Sequence, residues 1–268
     1  MTISLQTIET GIKKVPIRAL IYGPNGVGKS YLASQFPKPI FLDLEDNVHH
    51  FDVAKQRLKS WWDVQLFLSL LLKEKHGFQT LVIDTLDQLE LLAKPVACKE
   101  AGIQNINEGY GKGVAQLVRL FEGFRNTLED LTHLKKMHLV FIAHAKMTQI
   151  TELGSVSYHQ MAPFLNERIS SLFTDWCNIV GYAQRLVTQE RCLDVGFGKT
   201  QITAAAYEDK DLGPRVLHVE ASPQYVAKNV FDFKTKNGCM SLKASDLLSQ
   251  VQSFYRSIPT PPQEGDIS

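Results

Sequence analysis

Gly23, four further residues, and then Gly28, Lys29 and Ser30 are the part of this chain that restricts its folding most. The apolar residues 19–22 just before them read as a buried strand, and Tyr31, Leu32 and Ala33 just after them open a helix. A chain that leaves a strand, turns through glycines and enters a helix aims several backbone N–H groups at one point, with the positive end of the helix behind them. Such a turn cradles phosphate oxygens. The cradle is Gly23, Pro24, Asn25, Gly26, Val27, Gly28, Lys29, Ser30 and Tyr31. Lys29 is placed to reach the outer phosphates of a nucleoside triphosphate, and the Ser30 hydroxyl to hold a magnesium ion (Mg2+) between them. A glycine turn with a solvated lysine would need neither the strand before it nor the helix after it.

Residues 40–44 are a second apolar strand, ending at Glu45, Asp46 and Asn47. Ser60 reads as the cap of a helix that closes at His76 and Gly77. Residues 80–84 form a third strand ending in Asp84, as a strand beside a phosphate loop does when its last carboxylate serves the magnesium. Residues 86–98 are helical, and residues 107–113 are a glycine-rich loop carrying Tyr110 and Lys112. Val114, Leu117, Phe121, Phe124, Leu128 and Leu131 recur at helical spacing, and residues 138–144 return to the sheet as a strand ending in His144. Residues 146–161 read as a second polar loop, holding Lys146 and Tyr158. A helix at 167–176, a strand at 177–185, a further strand of the same sheet at 191–195, an outer strand at 215–220, a surface segment at 223–229 and a last helix at 244–258 complete the pattern. Strands alternating with helices predict an α/β fold, a mostly parallel sheet covered by helices on both faces. Its strand ends would gather the phosphate loop, Glu45, Asp84 and His144.

Composition sets the outer limits. With 268 residues and 44% of them hydrophobic, the chain suits one α/β domain over residues 17–258, an N-terminal arm or edge strand at 1–16 and a disordered tail at 259–268. A net charge of +1 gives no global basic field, so any nucleic-acid surface is local or assembled from several subunits. Cys98, Cys177, Cys192 and Cys239 form no Cys-x-x-Cys pair, which predicts core-filling thiols, no zinc and a reducing cytoplasm. The longest apolar cluster, residues 67–72, is too short to span a bilayer, so no membrane partner is expected.

Glu45, Asp84 and His144 at strand ends around the phosphate loop resemble a RecA-like P-loop NTPase core. More narrowly, residues 40–45, 109–113, 142–146 and 223–229 resemble the small phage-encoded ATP-binding proteins related to single-strand annealing recombinases, over about residues 17–231. That resemblance implies an ATP-dependent, magnesium-requiring ATPase that acts on single-stranded DNA in annealing or strand exchange, beside a single-strand-binding protein, in the host bacterial cytoplasm. It implies that Glu45 polarises the attacking water, with Asp43 and Asp46 as nearby competitors, and that His144 senses the γ-phosphate where Gln is commoner. It also implies a cation from an adjoining subunit, Lys228 first and Arg215 second, and with it a homo-oligomeric filament or ring. Tyr110, Lys112, Lys146 and Tyr158 would stack on bases and contact DNA phosphates. A GTPase is disfavoured because no Asn-Lys-x-Asp motif follows Asp84. The competing reading is a nucleotide-dependent assembly switch or scaffold with slow turnover and no direct DNA role; a loader or packaging motor would need a separate helical domain.

Overall fold

Side chains of the central strands are apolar on both faces, and that decides the layering. The computed structural model describes residues 11–151, 157–186, 191–193, 202–204 and 213–257. In chain order the elements are β1 (Arg18–Gly23), α1 (Lys29–Ser34), β2 (Pro39–Asp43), β3 (Ala54–Arg57), α2 (Trp61–Lys73), β4 (Thr80–Asp84), α3 (Leu86–Ala101), α4 (Lys112–Leu134), β5 (His138–Ile150), β6 (Tyr158–Pro163), α5 (Glu167–Trp176), β7 (Ile179–Arg185), β8 (Arg191–Leu193), β9 (Ile202–Ala204), β10 (Arg215–His218), β11 (Lys228–Asn229), β12 (Cys239–Ser241) and α6 (Ala244–Ser257). The main sheet runs β12-β10-β7-β1-β5-β4-β2-β3, with β11 added on β7 and β6 on β5. Strands β3, β2, β4, β5, β1 and β7 are parallel to their neighbours; β10, β11, β12 and β6 are added antiparallel.

Alternation along each strand feeds two cores. Leu20, Tyr22, Leu42, Ile83 and Phe141 face one way and pack under α2, α3, α4 and α5. Ala19, Ile21, Phe41, Val82 and Ile142 face the other way and are covered by α1 and α6. Phe173 of α5 centres the larger core, with ring centroids of Phe121, Phe124, Phe141 and Trp176 at 5.1–6.5 Å. Each fully buried phenyl ring there contributes about 2–3 kcal/mol by leaving water. Helix starts follow local chemistry, since Ser60, Thr85 and Asn166 each accept a backbone N–H of the first turn.

The parallel register aligns the strand ends. Gly23 lies opposite His144, and Asp43 opposite Asp84. All four therefore sit at the carboxyl edge of the sheet, where ligands bind in folds of this kind.

Several sequence expectations are corrected. The Asp84 strand is not beside the phosphate-loop strand, because β5 lies between β1 and β4. Residues 146–150 and 158–161 are not loop: β5 continues past the sheet and pairs with β6 from Ala145–Pro163 out to Ile150–Tyr158. Half-buried Lys146, Thr148 and Ile150 alternate with exposed Met147 and Gln149, so the strand leaves the core without losing its ladder. Residues 191–193 pair with β9 in a separate two-stranded sheet instead of joining the main one. β10 is no outer strand, since β12 covers it and Val216, Leu217 and His218 are buried. Of the segment expected on the surface, Pro223 and Gln224 are exposed, whereas Ala227 is buried and residues 228–229 pair with β7 as β11. Strand β3 has no counterpart in the sequence reading. Residues 1–10 of the proposed arm, the whole proposed tail at 259–268 and the last residue of the expected final helix, 258, lie outside the described residues, and residues 11–16 carry no strand.

Candidate active site

Backbone shape comes first. Gly26 and Gly28 adopt φ of 71° and 105°, the left-handed region that costs other residues energy. A side chain at Gly23 would bring its Cβ within 2.3 Å of the Ala183 carbonyl oxygen on β7, so β1 and β7 can approach only because this residue is glycine. The turn places Lys29 and Ser30 at the start of α1. Lys29 is 94% buried by its 6% relative exposure, and its Nζ donates to the carbonyls of Gly23 (2.9 Å) and Pro24 (3.0 Å). Burial lowers its pKa, and the charges of Asp84, Asp87 and Glu45 oppose that shift.

Ser30 Oγ donates to Asp84 Oδ2 at 2.6 Å, bringing together the two oxygens expected to hold magnesium although β5 separates β4 from the strand that leads into the phosphate loop. Burial pushes the Asp84 pKa up to about 6; the Ser30 hydrogen bond opposes this and the Glu45 charge adds to it. Oxygen donors crowded with negative charge suit a small hard dication, so the residues fit Mg2+. The same shift has a sign for stability. Below an ordinary carboxylate pKa of 3.8 Asp84 is protonated folded or unfolded; as pH rises through about 6, the folded protein must ionise a buried group. Stability is therefore lost across that window, by about 3 kcal/mol for a shift of this size. Asp84→Asn is expected to raise the melting temperature of the ion-free protein at pH 8 and to change it little at pH 4. A variant melting below its parent at pH 8 would refute the burial argument.

Glu45 stands just beyond β2. Its Oε1 accepts from Thr85 Oγ1 (2.7 Å) and its Oε2 from Asn47 Nδ2 (3.0 Å), so both oxygens are oriented by donors. Its competitors are otherwise engaged: Asp43 Oδ1 accepts the Asn47 backbone N–H, and Asp46 pairs with Arg57 at 2.7 Å. His144 is held by Asp87, whose Oδ1 accepts the His144 backbone N–H (3.0 Å) and whose Oδ2 lies 2.7 Å from Nδ1. An ionised carboxylate only accepts, so Nδ1 carries a proton and Nε2 is left for other partners. Glu45 Oε1 is 3.9 Å from the same Nδ1.

These groups surround one cavity of about 630 Å³. Lys29, Ser30, Glu45, Asp84 and His144 line it, and so does Arg215. A Cβ at Gly28 would meet Arg215 Nη1 at 3.0 Å, so the guanidinium lies over the phosphate loop of its own chain. Arg215, expected as a cation offered to a neighbour, is thus part of its own site. Lys228 is not brought there. It pairs with Val180 nearer the amino end of β7, and its Nζ donates to the Thr174 and Asp175 carbonyls at the end of α5. Tyr31, Asn47, His50 and Phe51 also line the cavity, with the Tyr31 and Phe51 ring centroids 6.4 Å apart.

The four residues assigned to DNA divide. Tyr110 is fully exposed with φ 52°, in the 103–111 loop. Lys112 is not in that loop but is the first residue of α4. Lys146 is on β5, and its Nζ donates to the Leu165 carbonyl at 2.6 Å. Tyr158 begins β6 opposite Ile150 and is half-buried. Asn107 of the loop and Lys146 flank a second cavity of about 340 Å³, with Asp87 in its wall. Sequence reasoning missed Asp87, Thr85 and Asn47. Their only signal was position: two carry donors or acceptors one and three residues past Asp84, and one lies two past Glu45.

Residues 15–231 match the AAA domain family. Over 133 residues, 47% of its length, the chain is 25% identical to the SPbeta prophage-derived uncharacterized protein YorG of Bacillus subtilis (strain 168), and the match covers 40% of that protein. The chain thus spans less than half the length of that relative. Among the described residues no helix is long and apolar enough to cross a membrane.

Proposed function

Because the chain belongs to the AAA domain family of nucleotide-binding ATPases, we propose that it hydrolyses ATP with Mg2+ and couples the cycle to single-stranded DNA, in annealing or recombination of the phage type. The observation that carries the ATPase reading is the convergence of Lys29, the Ser30–Asp84 pair, Glu45, His144 and Arg215 on one cavity. Those strand-end groups also favour the RecA-like reading of the core over a bare nucleotide-binding module. In this scheme Lys29 gives up the Gly23 and Pro24 carbonyls for phosphate oxygens. Magnesium held by Ser30 and Asp84 would neutralise charge on two phosphates. Glu45, fixed by Thr85 and Asn47, orients the attacking water, which phosphoryl transfer needs more than it needs a strong base. Arg215 supplies positive charge from the same chain, which removes one reason to require a ring or filament. A second copy remains part of the proposal only through Lys228.

The DNA half of the reading is supported by continuity. His144, at the nucleotide cavity, is followed without a break by the part of β5 that pairs with β6, and Asp87 contacts His144 while lining the cavity flanked by Asn107 and Lys146. Hydrolysis is expected to speed up when single-stranded DNA is added, in a steady-state phosphate-release assay with Mg2+. No stimulation at any DNA concentration would favour the assembly switch instead. DNA affinity is expected to fall linearly on a log–log plot against salt, with a slope of about −0.7 for each phosphate contacted on a single strand. An affinity indifferent to salt would remove Lys112 and Lys146 from the interface.

A further inference from the structure

We propose that Glu45, Asp87 and His144 form a binding site for one transition-metal dication of the zinc class, distinct from the magnesium position at Ser30 and Asp84, and that filling it arrests turnover. One ligand atom from each residue lies within 4.8 Å of the others. His144 Nδ1 is 2.7 Å from Asp87 Oδ2 and 3.9 Å from Glu45 Oε1. Four-coordinate zinc with bonds of about 2.0–2.1 Å separates its ligand atoms by about 3.3 Å, so the two pairs that include His144 need shift by less than about 1 Å, and the two carboxylates by no more than about 1.5 Å.

The donor set selects the ion. An imidazole nitrogen with two carboxylates suits zinc, cobalt or manganese, whereas magnesium demands oxygen and near-ideal octahedral geometry. Outer contacts are already in place: Thr85 and Asn47 hold Glu45, and the His144 backbone N–H holds the other oxygen of Asp87. Partners of this kind orient metal ligands and tighten binding. Charge agrees, because the two ligand carboxylates, Glu45 and Asp87, both act on the buried Lys29. Glu45 and His144 line the nucleotide cavity, which leaves the fourth coordination position open to water. Metal would replace the proton on Nδ1, with Nε2 carrying the ring proton instead.

Once its Oε1 is bound to metal, Glu45 no longer orients water. The arrest therefore rests on the proposed ATPase, whereas the site itself does not. Binding is read on the nucleotide-free full chain by calorimetry with Zn2+ and by the visible absorption of added Co2+, with Mg2+ in excess. One ion per chain is expected, without the thiolate charge-transfer bands that cysteine ligands would give. Asp87→Asn and His144→Gln are each expected to weaken binding at least about tenfold, and Asp84→Asn to change it less than about twofold. Melting curves check that each variant folds, and Glu45→Gln supplies a third ligand deletion should either fail. No Co2+ signal, thiolate bands, or loss only in Asp84→Asn would overturn the site. Saturated protein that still hydrolyses ATP at the zinc-free rate would overturn the arrest, and a parent inactive without zinc would instead count against the ATPase.

Discussion

Lys29→Ala is expected to lower ATP hydrolysis by more than about a hundredfold and to weaken nucleotide binding with it, the scale seen when one preorganised donor to a developing anion is removed. The side chain is buried, and its amino group is held within the phosphate loop by two carbonyls. Ammonium so placed is already stripped of most water, so its attraction to phosphate is little screened. Burial makes its charge harder to keep, while the surrounding carboxylates help to keep it. Nucleotide titration and single-turnover hydrolysis measure the two effects separately, and a melting curve controls for the carbonyls left without a donor. A variant that binds and hydrolyses like its parent would place the nucleotide elsewhere.

Glu45→Gln is expected to separate the same two quantities. Hydrolysis should fall by about a hundredfold or more, within the range for a lost general base, while affinity for nucleotide stays within a few-fold. The amide keeps the shape and still accepts from Thr85, but it cannot take a proton from water, and its NH2 faces the Asn47 donor. Rapid mixing of enzyme with limiting ATP reads the chemical step without interference from product release. Parent-like turnover would shift the role to another group. Asp43 and Asp46 are poor substitutes, because one is tied to the Asn47 backbone and the other to Arg57.

What the sequence disclosed was whatever depends on near neighbours. The glycine turn, the strand ending at Asp84, the cap at Ser60 and the amphipathic helix through Leu117, Phe121 and Phe124 are all written within a few residues. Strand order is not local, which is why β5 came unannounced between β1 and β4. Arg215 shows the same limit: it enters the cavity because β10 runs antiparallel to β7 and sets Arg215 opposite Arg185, a pairing far apart in sequence. Asp87 reads in sequence as an ordinary acidic residue in the first turn of a helix. Only the register of β4 on β5, which sets Asp84 opposite Ile142, brings it to His144 and makes it the anchor of that imidazole. The outer part of β5 reads as loop because Lys146, Thr148 and Gln149 are polar, whereas a two-stranded ribbon beyond the main sheet needs no fully buried face.

The unbroken run of β5 from the sheet into that ribbon also has a mechanical meaning. From Ala145 to Ile150 the cross-paired segment is six residues, about 20 Å at the usual rise of a strand. Its root is next to His144, and Tyr22, one residue before the phosphate loop, bonds through its hydroxyl to the Met161 carbonyl on the returning strand. A stiff arm pivoted there would turn a tilt of about 5° into a sweep of nearly 2 Å at its far end, so the loss of one phosphate could be felt at a distance without any segment refolding.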